Sequence, residues 1–191
     1  MDKRAKIYNI AFLILGVAMM ATVIILAARK KSNWQNLVPG QWPDFSKPRG
    51  IRNNNPGNIR ASSSAWQGKI PLDLNMDSTL VNGNPVRKVD FEQFTEYRFG
   101  IRAMIKLLKN YQENEGLATI RGMITRWAPP FENNTSSYVT NVANKVGIDP
   151  DSPYLLTKSN TKALIRAMSI SENGHGEWIS DNDFNDAWEL L

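Results

Sequence analysis

The sequence contains no cysteine and a single histidine, His175. The lack of cysteine excludes disulfides, thiolate metal sites and a cysteine nucleophile. A zinc site of the usual kind needs several imidazole or thiolate ligands, so one histidine argues against zinc catalysis. A Ser-His-Asp triad would have to use His175, and no serine stands in a Gly-x-Ser-x-Gly setting. We therefore expect neither a metal nor another cofactor.

Charged residues are missing from residues 7–28, which are almost entirely apolar. A helix needs roughly 20 apolar residues to cross the hydrocarbon layer, and it satisfies its own backbone hydrogen bonds there. The stretch is too long for a typical signal peptide, and no clean small-x-small cleavage site precedes the basic residues 29–31. We predict that residues 1–31 are an uncleaved transmembrane anchor. Three basic residues on each side leave its orientation open.

The formal net charge of +5 comes from the flanks of this apolar stretch. Residues 32–191 contain 17 basic and 17 acidic side chains and are therefore neutral. Binding to nucleic acid depends largely on basic side chains that meet phosphates. The neutral remainder argues against a DNA-binding entry factor, and we expect no nucleic-acid partner.

Residues 32–48 are predicted to form a linker, because they include Pro39-Gly40, Pro43 and Pro48 and lack a helical period. Residues 49–191 are predicted to form the soluble domain. This domain begins with loop-rich residues 49–75.

The folded domain is predicted to be α+β and mainly helical, with one small β-hairpin. Asn82-Gly83 is a strong hairpin-turn signal, and the return strand is predicted to carry Val86, Val89, Phe91 and Phe94. Helices are predicted from apolar spacing and end signals. Their expected ranges are from Gly100 to near Gly116, from Thr119 to before Pro129, from Thr135 to Gly147, from about Asn160 to Ser171, and from about Asp181 to Leu190.

Ordered sequence blocks carry a family resemblance over nearly all of residues 49–175. They are Arg49–Arg60 (RGIRNNNPGNIR), Trp66–Gly68, Phe91–Phe94, Glu96–Ala103, Arg126–Asn133 (RWAPPFEN) with Thr135 and Tyr138-Val139, and Glu172–Gly174 (ENG). Together they resemble a family of phage and prophage virion-associated proteins, some of which are lysozyme-like or transglycosylase-like.

The resemblance implies a lysozyme-like domain behind the anchor. It implies a membrane-anchored, virion-associated protein that degrades peptidoglycan, of the lytic transglycosylase or muramidase type, and helps the phage to penetrate the host wall during entry. Its partners would be a membrane, peptidoglycan and other virion or capsid proteins. Its location would be the internal membrane of a virion, the bacterial inner membrane, or both, with the domain outside the bilayer.

Glycoside cleavage needs a carboxylic acid that stays protonated until it meets the leaving oxygen. Glu172 is the first candidate, since it ends an apolar helical stretch and resembles the helix-ending glutamate of soluble transglycosylases. Two features depart from that pattern: Asn173 stands where serine is usual, and the hairpin precedes the helix that carries the acid. An exposed glutamate at a helix end is the alternative interpretation.

Glu96 is the second candidate for the acid. It precedes a predicted helix, whose dipole would lower rather than raise its pKa, so a helix-capping role is the alternative. Asp90 and Glu132 are weaker candidates.

Aromatic and amide side chains often contact sugars, and arginines bind carboxylates. The candidate substrate contacts are Asn53, Asn55, Asn58, Trp66, Arg126 and Trp127, with Arg52 and Arg60 as further possible partners of stem-peptide carboxylates. Turn formation by the asparagines and core packing by Trp127 are equally open. A non-enzymatic minor membrane protein of the virion, or a glycan-binding module, is the alternative to an enzyme.

Overall fold

The computed structural model describes residues 44–131 and 134–191. These residues contain six α-helices and one two-stranded antiparallel sheet. The elements are α1 (Arg49–Arg52), β1 (Ser78–Val81), β2 (Asn84–Arg87), α2 (Tyr97–Glu113), α3 (Ile120–Trp127), α4 (Thr135–Val146), α5 (Lys158–Asn173) and α6 (Asp181–Trp188). The predicted α+β class, dominated by helices, is confirmed.

Helix α2 is the centre of the core. Its apolar residues recur at helical spacing, and Ile101, Met104, Ile105 and Leu108 are completely buried. It packs against α3, α5 and α6, while α4 packs against both α3 and α5. This arrangement brings the C-terminal end of α5 close to α3 and α4.

Most helix ends follow the signals in the sequence. Thr119 accepts a hydrogen bond from the N–H of Gly122, so it caps α3 as predicted. Gly147 ends α4 in the left-handed conformation, with φ +80°. Helix α5 differs from the prediction, because Thr157 is its cap and the helix continues through Asn173. The last turn of α5 therefore contains Glu172.

The predicted hairpin turn is confirmed, but the return strand is shorter than predicted. Val81 pairs with Asn84 across the Asn82-Gly83 turn, and β2 ends at Arg87. Val89 lies outside the strand. Phe91 and Phe94 form isolated bridges, to Arg60 and Lys69 respectively, instead of extending β2.

Strand β2 ends early because the carboxylate of Asp77 accepts hydrogen bonds from the backbone of the residues that follow β2. Asp77 Oδ2 accepts the N–H groups of Asp90 and Phe91 at 3.0 and 2.9 Å. Its two oxygens also accept a paired contact from the Arg49 guanidinium at 2.6 and 2.7 Å. Asn53 Nδ2 donates to Oδ1 at 2.8 Å. One buried carboxylate thus joins the loop that includes residues 53–58 to the end of the hairpin.

The loop of residues 53–58 lies directly on helix α2. Asn54 and Asn58 adopt left-handed conformations, with φ of 52° and 48°, which asparagine tolerates better than most residues. A Cβ on Gly100 would collide with the carbonyl oxygen of Asn54, so this close approach requires glycine on the helix.

The predicted anchor, residues 1–31, lies outside the described residues, as does most of the predicted linker. The described end of that linker forms a turn, in which Phe45 packs under the guanidinium of Arg52 at 4.4 Å. No helix in the part of the chain that the structure describes is long and apolar enough to span a membrane.

We predict that Asp77→Ala destabilises the protein by about 3 kcal/mol or more, because it removes the paired acceptor of the Arg49 guanidinium and leaves the buried Asn53 amide and two backbone N–H groups without their acceptor. Denaturant unfolding of the full chain measures this change. The matched control is Asp73→Ala, an exposed aspartate of the neighbouring turn, for which we expect a change of roughly 0.5 kcal/mol or less. Equal effects of the two substitutions would refute the role given to Asp77.

Candidate functional site

The C-terminal end of α5 faces an open cavity of about 700 Å³. One wall comes from residues 58–66 and Phe91, and the other from α2, α3 and the turns that follow them. The lining residues are Asn58, Ile59, Arg60, Ser62, Ser64, Trp66, Phe91, Leu107, Asn110, Tyr111, Glu115, Arg126, Trp127, Ala128, Pro129 and Glu172. Polar, charged and aromatic side chains therefore surround a single helix-ending carboxyl group.

Three donors hold the carboxyl group of Glu172. Its Oε1 accepts hydrogen bonds from Trp127 Nε1 at 3.1 Å and from the Tyr138 hydroxyl at 2.9 Å. Its Oε2 accepts one from Asn58 Nδ2 at 3.1 Å. Since Oε1 already has two donors, Oε2 is the oxygen with capacity left for a proton or a ligand.

Burial raises the pKa of Glu172 above its ordinary value, because a charged carboxylate loses hydration in this position. The hydrogen bonds from Asn58, Tyr138 and Trp127 and the positive charge of Arg60 act in the opposite direction, yet the net shift of the pKa is upward. The environment thus favours the protonated acid while it keeps the carboxyl group oriented.

Tyr138 is a part of the site that sequence reasoning missed. Its position on the apolar stripe of α4 suggested a core residue, and it does pack against the core. Its hydroxyl nevertheless reaches Glu172, and burial together with the neighbouring Glu172 raises the pKa of Tyr138 well above its ordinary value. It therefore remains a neutral donor. Its presence in a sequence block of the resemblance was the available signal.

Asn58 orients Glu172 from the other side. Its Nδ2 also donates to the backbone oxygen of Glu172, at 3.2 Å. Asn173 Nδ2 ties the helix end to the same loop through the Pro56 carbonyl, at 2.7 Å. A Cβ on Gly50 would collide with the side-chain oxygens of Asn58 and Asn173, so glycine is required where α1 meets the end of α5.

Arg126 belongs to the opposite wall. Its Nε donates to Glu115 Oε2 at 2.9 Å, and its guanidinium lies over the Tyr111 ring at 5.2 Å. Glu115 is the other acidic residue among the lining residues, and this pairing engages its carboxylate.

Six of the predicted site residues meet at this cavity: Glu172, Asn58, Arg60, Trp66, Arg126 and Trp127. Asn53 and Asn55 do not, because both are completely buried. Asn53 Nδ2 donates a hydrogen bond to the Asp77 carboxylate. Asn55 Nδ2 donates to the carbonyl groups of Ile59 and Glu92 at 3.0 and 2.9 Å. Their amides shape the loop, so we do not include them among the substrate contacts.

Glu96 lies elsewhere. It occupies the N-cap position of α2, makes no side-chain capping hydrogen bond, and pairs at the surface with Arg98 at 2.8 Å. It is not among the residues that line the cavity. Asp90 pairs with Arg49 and Lys88, and Glu132 lies outside the described residues. The structure describes three of the candidate acids, Glu172, Glu96 and Asp90. Of these three, Glu172 is the one that lines this cavity.

Comparison with known proteins identifies a relative of the chain. No protein-family model matches it. Protein P5 of Pseudoalteromonas phage PM2 is 36% identical over 182 residues, which cover 94% of this chain and 92% of protein P5. The chain belongs to the protein P5 family. The predicted kinship with bacteriophage proteins is thereby confirmed, whereas lysozyme-like activity stays a prediction.

We predict that the raised pKa of Glu172 makes stability depend on pH. The folded state holds this proton more tightly than the unfolded chain, so the associated stabilisation is present below about pH 4.5 and is lost as the pH rises through the folded-state pKa. Glu172→Gln cannot titrate. Its unfolding free energy relative to wild type should therefore increase with pH, measured by denaturant unfolding from roughly pH 4 to 8. A constant difference would contradict the prediction.

Proposed function

We propose that this member of the protein P5 family is a virion-associated phage protein that cleaves the glycan strands of peptidoglycan during entry. The observation that carries the proposal is a half-buried glutamate with a raised pKa, fixed by three donors beside an open polar cavity. A general acid needs this combination, because it must stay protonated at working pH and yet reach the leaving oxygen. The phage relative supports the viral setting.

In the proposed reaction, Glu172 Oε2 donates its proton to the glycosidic oxygen. The bond between that oxygen and the sugar C1 breaks, its electron pair stays on the leaving oxygen, and C1 becomes electron-deficient. Trp127 and Tyr138 keep Oε1 in place and stabilise the carboxylate that forms. Asn58 keeps the plane of the carboxyl group fixed through Oε2.

The second half of the reaction favours the transglycosylase type. A hydrolase with two carboxylates needs a second acid near the bond. Among the described lining residues, the other acid is Glu115, which pairs with Arg126. A transglycosylase needs only one: the substrate's own C6 hydroxyl attacks C1, the Glu172 carboxylate accepts its proton, and an anhydro-sugar results. A small hairpin beside a helical core supports our assignment of the domain as lysozyme-like.

We predict that the full chain releases anhydro-muropeptides from isolated Gram-negative sacculi and that Glu172→Gln lowers the rate about 10²- to 10⁴-fold, the usual contribution of a general acid. Mass analysis of the released fragments measures both. Glu96→Gln is the matched control, since it makes the same chemical change at an exposed glutamate that does not line the cavity, and it should retain activity.

The outcomes of this experiment separate the alternatives. Hydrolysed products without an anhydro ring would indicate a muramidase. Activity that survives Glu172→Gln would remove Glu172 from the role of acid. No release by the wild-type protein, where a control lysozyme acts, would refute the enzyme and leave a structural or glycan-binding protein of the virion.

We further propose that residues 1–31 anchor the domain in a membrane, with residues 32–48 as the linker. The support is the uncharged stretch of residues 7–28 between basic flanks. In this proposal the anchor holds the domain at the viral membrane or the bacterial inner membrane, within reach of peptidoglycan.

We predict that the expressed full chain sediments with membranes and resists extraction by high salt and alkaline carbonate, whereas a chain lacking residues 1–31 does not. A matched control replaces Lys3, Arg4 and Lys6 by glutamine. It removes charge but leaves the apolar stretch, and should therefore remain resistant to extraction. Extraction of the full chain by salt alone would show that the attachment is peripheral.

A further inference from the structure

We propose that the hairpin of β1 and β2 inserts its turn into the interface of a lipid bilayer, and that this contact orients the domain on the membrane that holds it. The inference rests on the proposed anchor, residues 1–31, because it gives the same domain a second contact with the same bilayer. It follows from the apolar side chains that the hairpin exposes and from the point at which the chain enters the domain.

Four large apolar side chains are exposed on the hairpin and on the turn beside it. The exposed fractions are 48% for Leu80, 49% for Val81, and 41% for both Val86 and Leu72. The Arg87 guanidinium donates to the backbone oxygen of Leu72 at 2.7 Å, which holds that turn beside β2. These four residues, the hairpin patch, are four of the seven exposed large apolar residues in the described part of the chain. Such a concentration marks a surface that meets a partner or a membrane.

The hairpin exposes apolar residues on both of its faces. Leu80 lies opposite Pro85, and Val81 lies opposite Asn84. Successive residues of a strand point to opposite faces, so a partner surface lying on one face could not cover both Leu80 and Val81. Among the described elements, β1 and β2 pack chiefly on each other. A bilayer is fluid and surrounds what is inserted into it, and it therefore covers both faces at once.

The charges of the hairpin suit an anionic bilayer. Residues 78–89 include Arg87 and Lys88 and no acidic residue. Both basic residues stand at the base of the hairpin, behind the apolar residues near its turn. The Lys88 side chain remains 64% exposed while it pairs with Asp90. Apolar side chains in front of basic ones match the depth profile of a membrane interface, where cations meet the lipid phosphates.

The chain enters the domain beside the base of this hairpin. The Arg52 guanidinium donates to the backbone oxygen of Ser78 at 3.3 Å, and the Arg49 guanidinium donates to that of Lys88 at 2.7 Å. Helix α1 is thereby joined to the first residue of β1 and to the residue that follows β2. Residues 32–43, between the proposed anchor and the described domain, reach at most roughly 40 Å. The hairpin thus stands on the side of the domain where the tether arrives.

The hairpin is also continuous with the wall of the candidate site. The chain runs from β2 to Phe91, which lines the cavity. Asp77, directly before β1, accepts the backbone N–H of Phe91 at 2.9 Å. A hairpin held in the interface therefore fixes the direction in which the cavity opens, whereas the tether alone leaves the domain to rotate.

The test places a polarity-sensitive fluorophore at the turn end of the hairpin in the full chain. Because the sequence contains no cysteine, Val81→Cys provides one labelling position. The labelled chain is reconstituted in vesicles of phosphatidylcholine and phosphatidylglycerol, with ordinary or brominated acyl chains. We expect a blue shift of the emission and a loss of intensity with brominated lipid. The matched control is Asn144→Cys, an exposed position on α4, which packs on α3 and α5, and its emission should show neither change.

Two further substitutions in the labelled chain test the hairpin patch itself. Leu80→Glu together with Val86→Glu places a carboxylate on each face of the hairpin, and should abolish the quenching, because a charged group resists transfer out of water. Leu80→Ser together with Val86→Thr removes apolar surface without adding charge. This milder pair should weaken the quenching, and it serves if circular dichroism shows that the glutamate variant has unfolded.

Emission from the Val81 label that brominated lipid leaves unchanged, in vesicles that retain the chain, would overturn the inference. Quenching that survives both double substitutions would do the same. A blue shift without quenching would also overturn it, and would show that a second copy of the chain covers the hairpin patch instead.

The proposed anchor fails separately from the hairpin contact. A chain that alkaline carbonate extracts from the vesicles has no spanning anchor, whatever the label reports. A retained chain with an unquenched label keeps the anchor and loses the hairpin contact. A quenched label on an extractable chain would keep the contact and remove the anchor.

Discussion

The site depends on the ion pair and the hydrogen bonds that the buried carboxylate of Asp77 makes. This carboxylate neutralises Arg49, fixes Asn53, and accepts the N–H groups that follow the hairpin. Four of the six residues in loop 53–58 are asparagines, and polar bonds help to define the path of the loop. This one acceptor therefore helps to position both the loop that carries Asn58 and the segment after β2 that carries Phe91.

The loop of residues 53–58 in turn fixes the position of the C-terminal end of α5. Gly100 and Gly50 allow it to lie against α2 and α5, and Asn58 then donates to both the backbone and the side chain of Glu172. Glycine in a helix costs backbone conformational entropy. At Gly100 the absence of a side chain allows the loop to contact the helix. The candidate site is therefore assembled by polar contacts on a core that α2 organises through apolar burial.

The environment of Glu172 balances two opposing effects. Burial favours the neutral acid, whereas Trp127, Tyr138 and Asn58 favour the carboxylate. An acid catalyst benefits from both, because it must hold its proton before the reaction and stabilise the charge afterwards.

Local signals predicted much of the fold. Asn82-Gly83 specifies its turn through the conformations that these two residues tolerate. Thr119 begins α3 and Gly147 ends α4 through contacts with the nearest turn. The return strand was predicted too long, because the acceptor that binds the chain beyond it, Asp77, stands on the other side of the hairpin, just before β1. Periodicity could not reveal that constraint.

The sequence by itself determined the helical α+β class, the position of Glu172 at a helix end and the charge-free stretch of residues 7–28, since each depends on neighbouring residues. Tertiary structure decided which polar side chains reach the acid. It brought Tyr138 to Glu172, turned Asn53 and Asn55 inward, and kept Glu96 at the surface. These outcomes depend on distances between segments far apart in the chain, which are set only when the helices pack around α2.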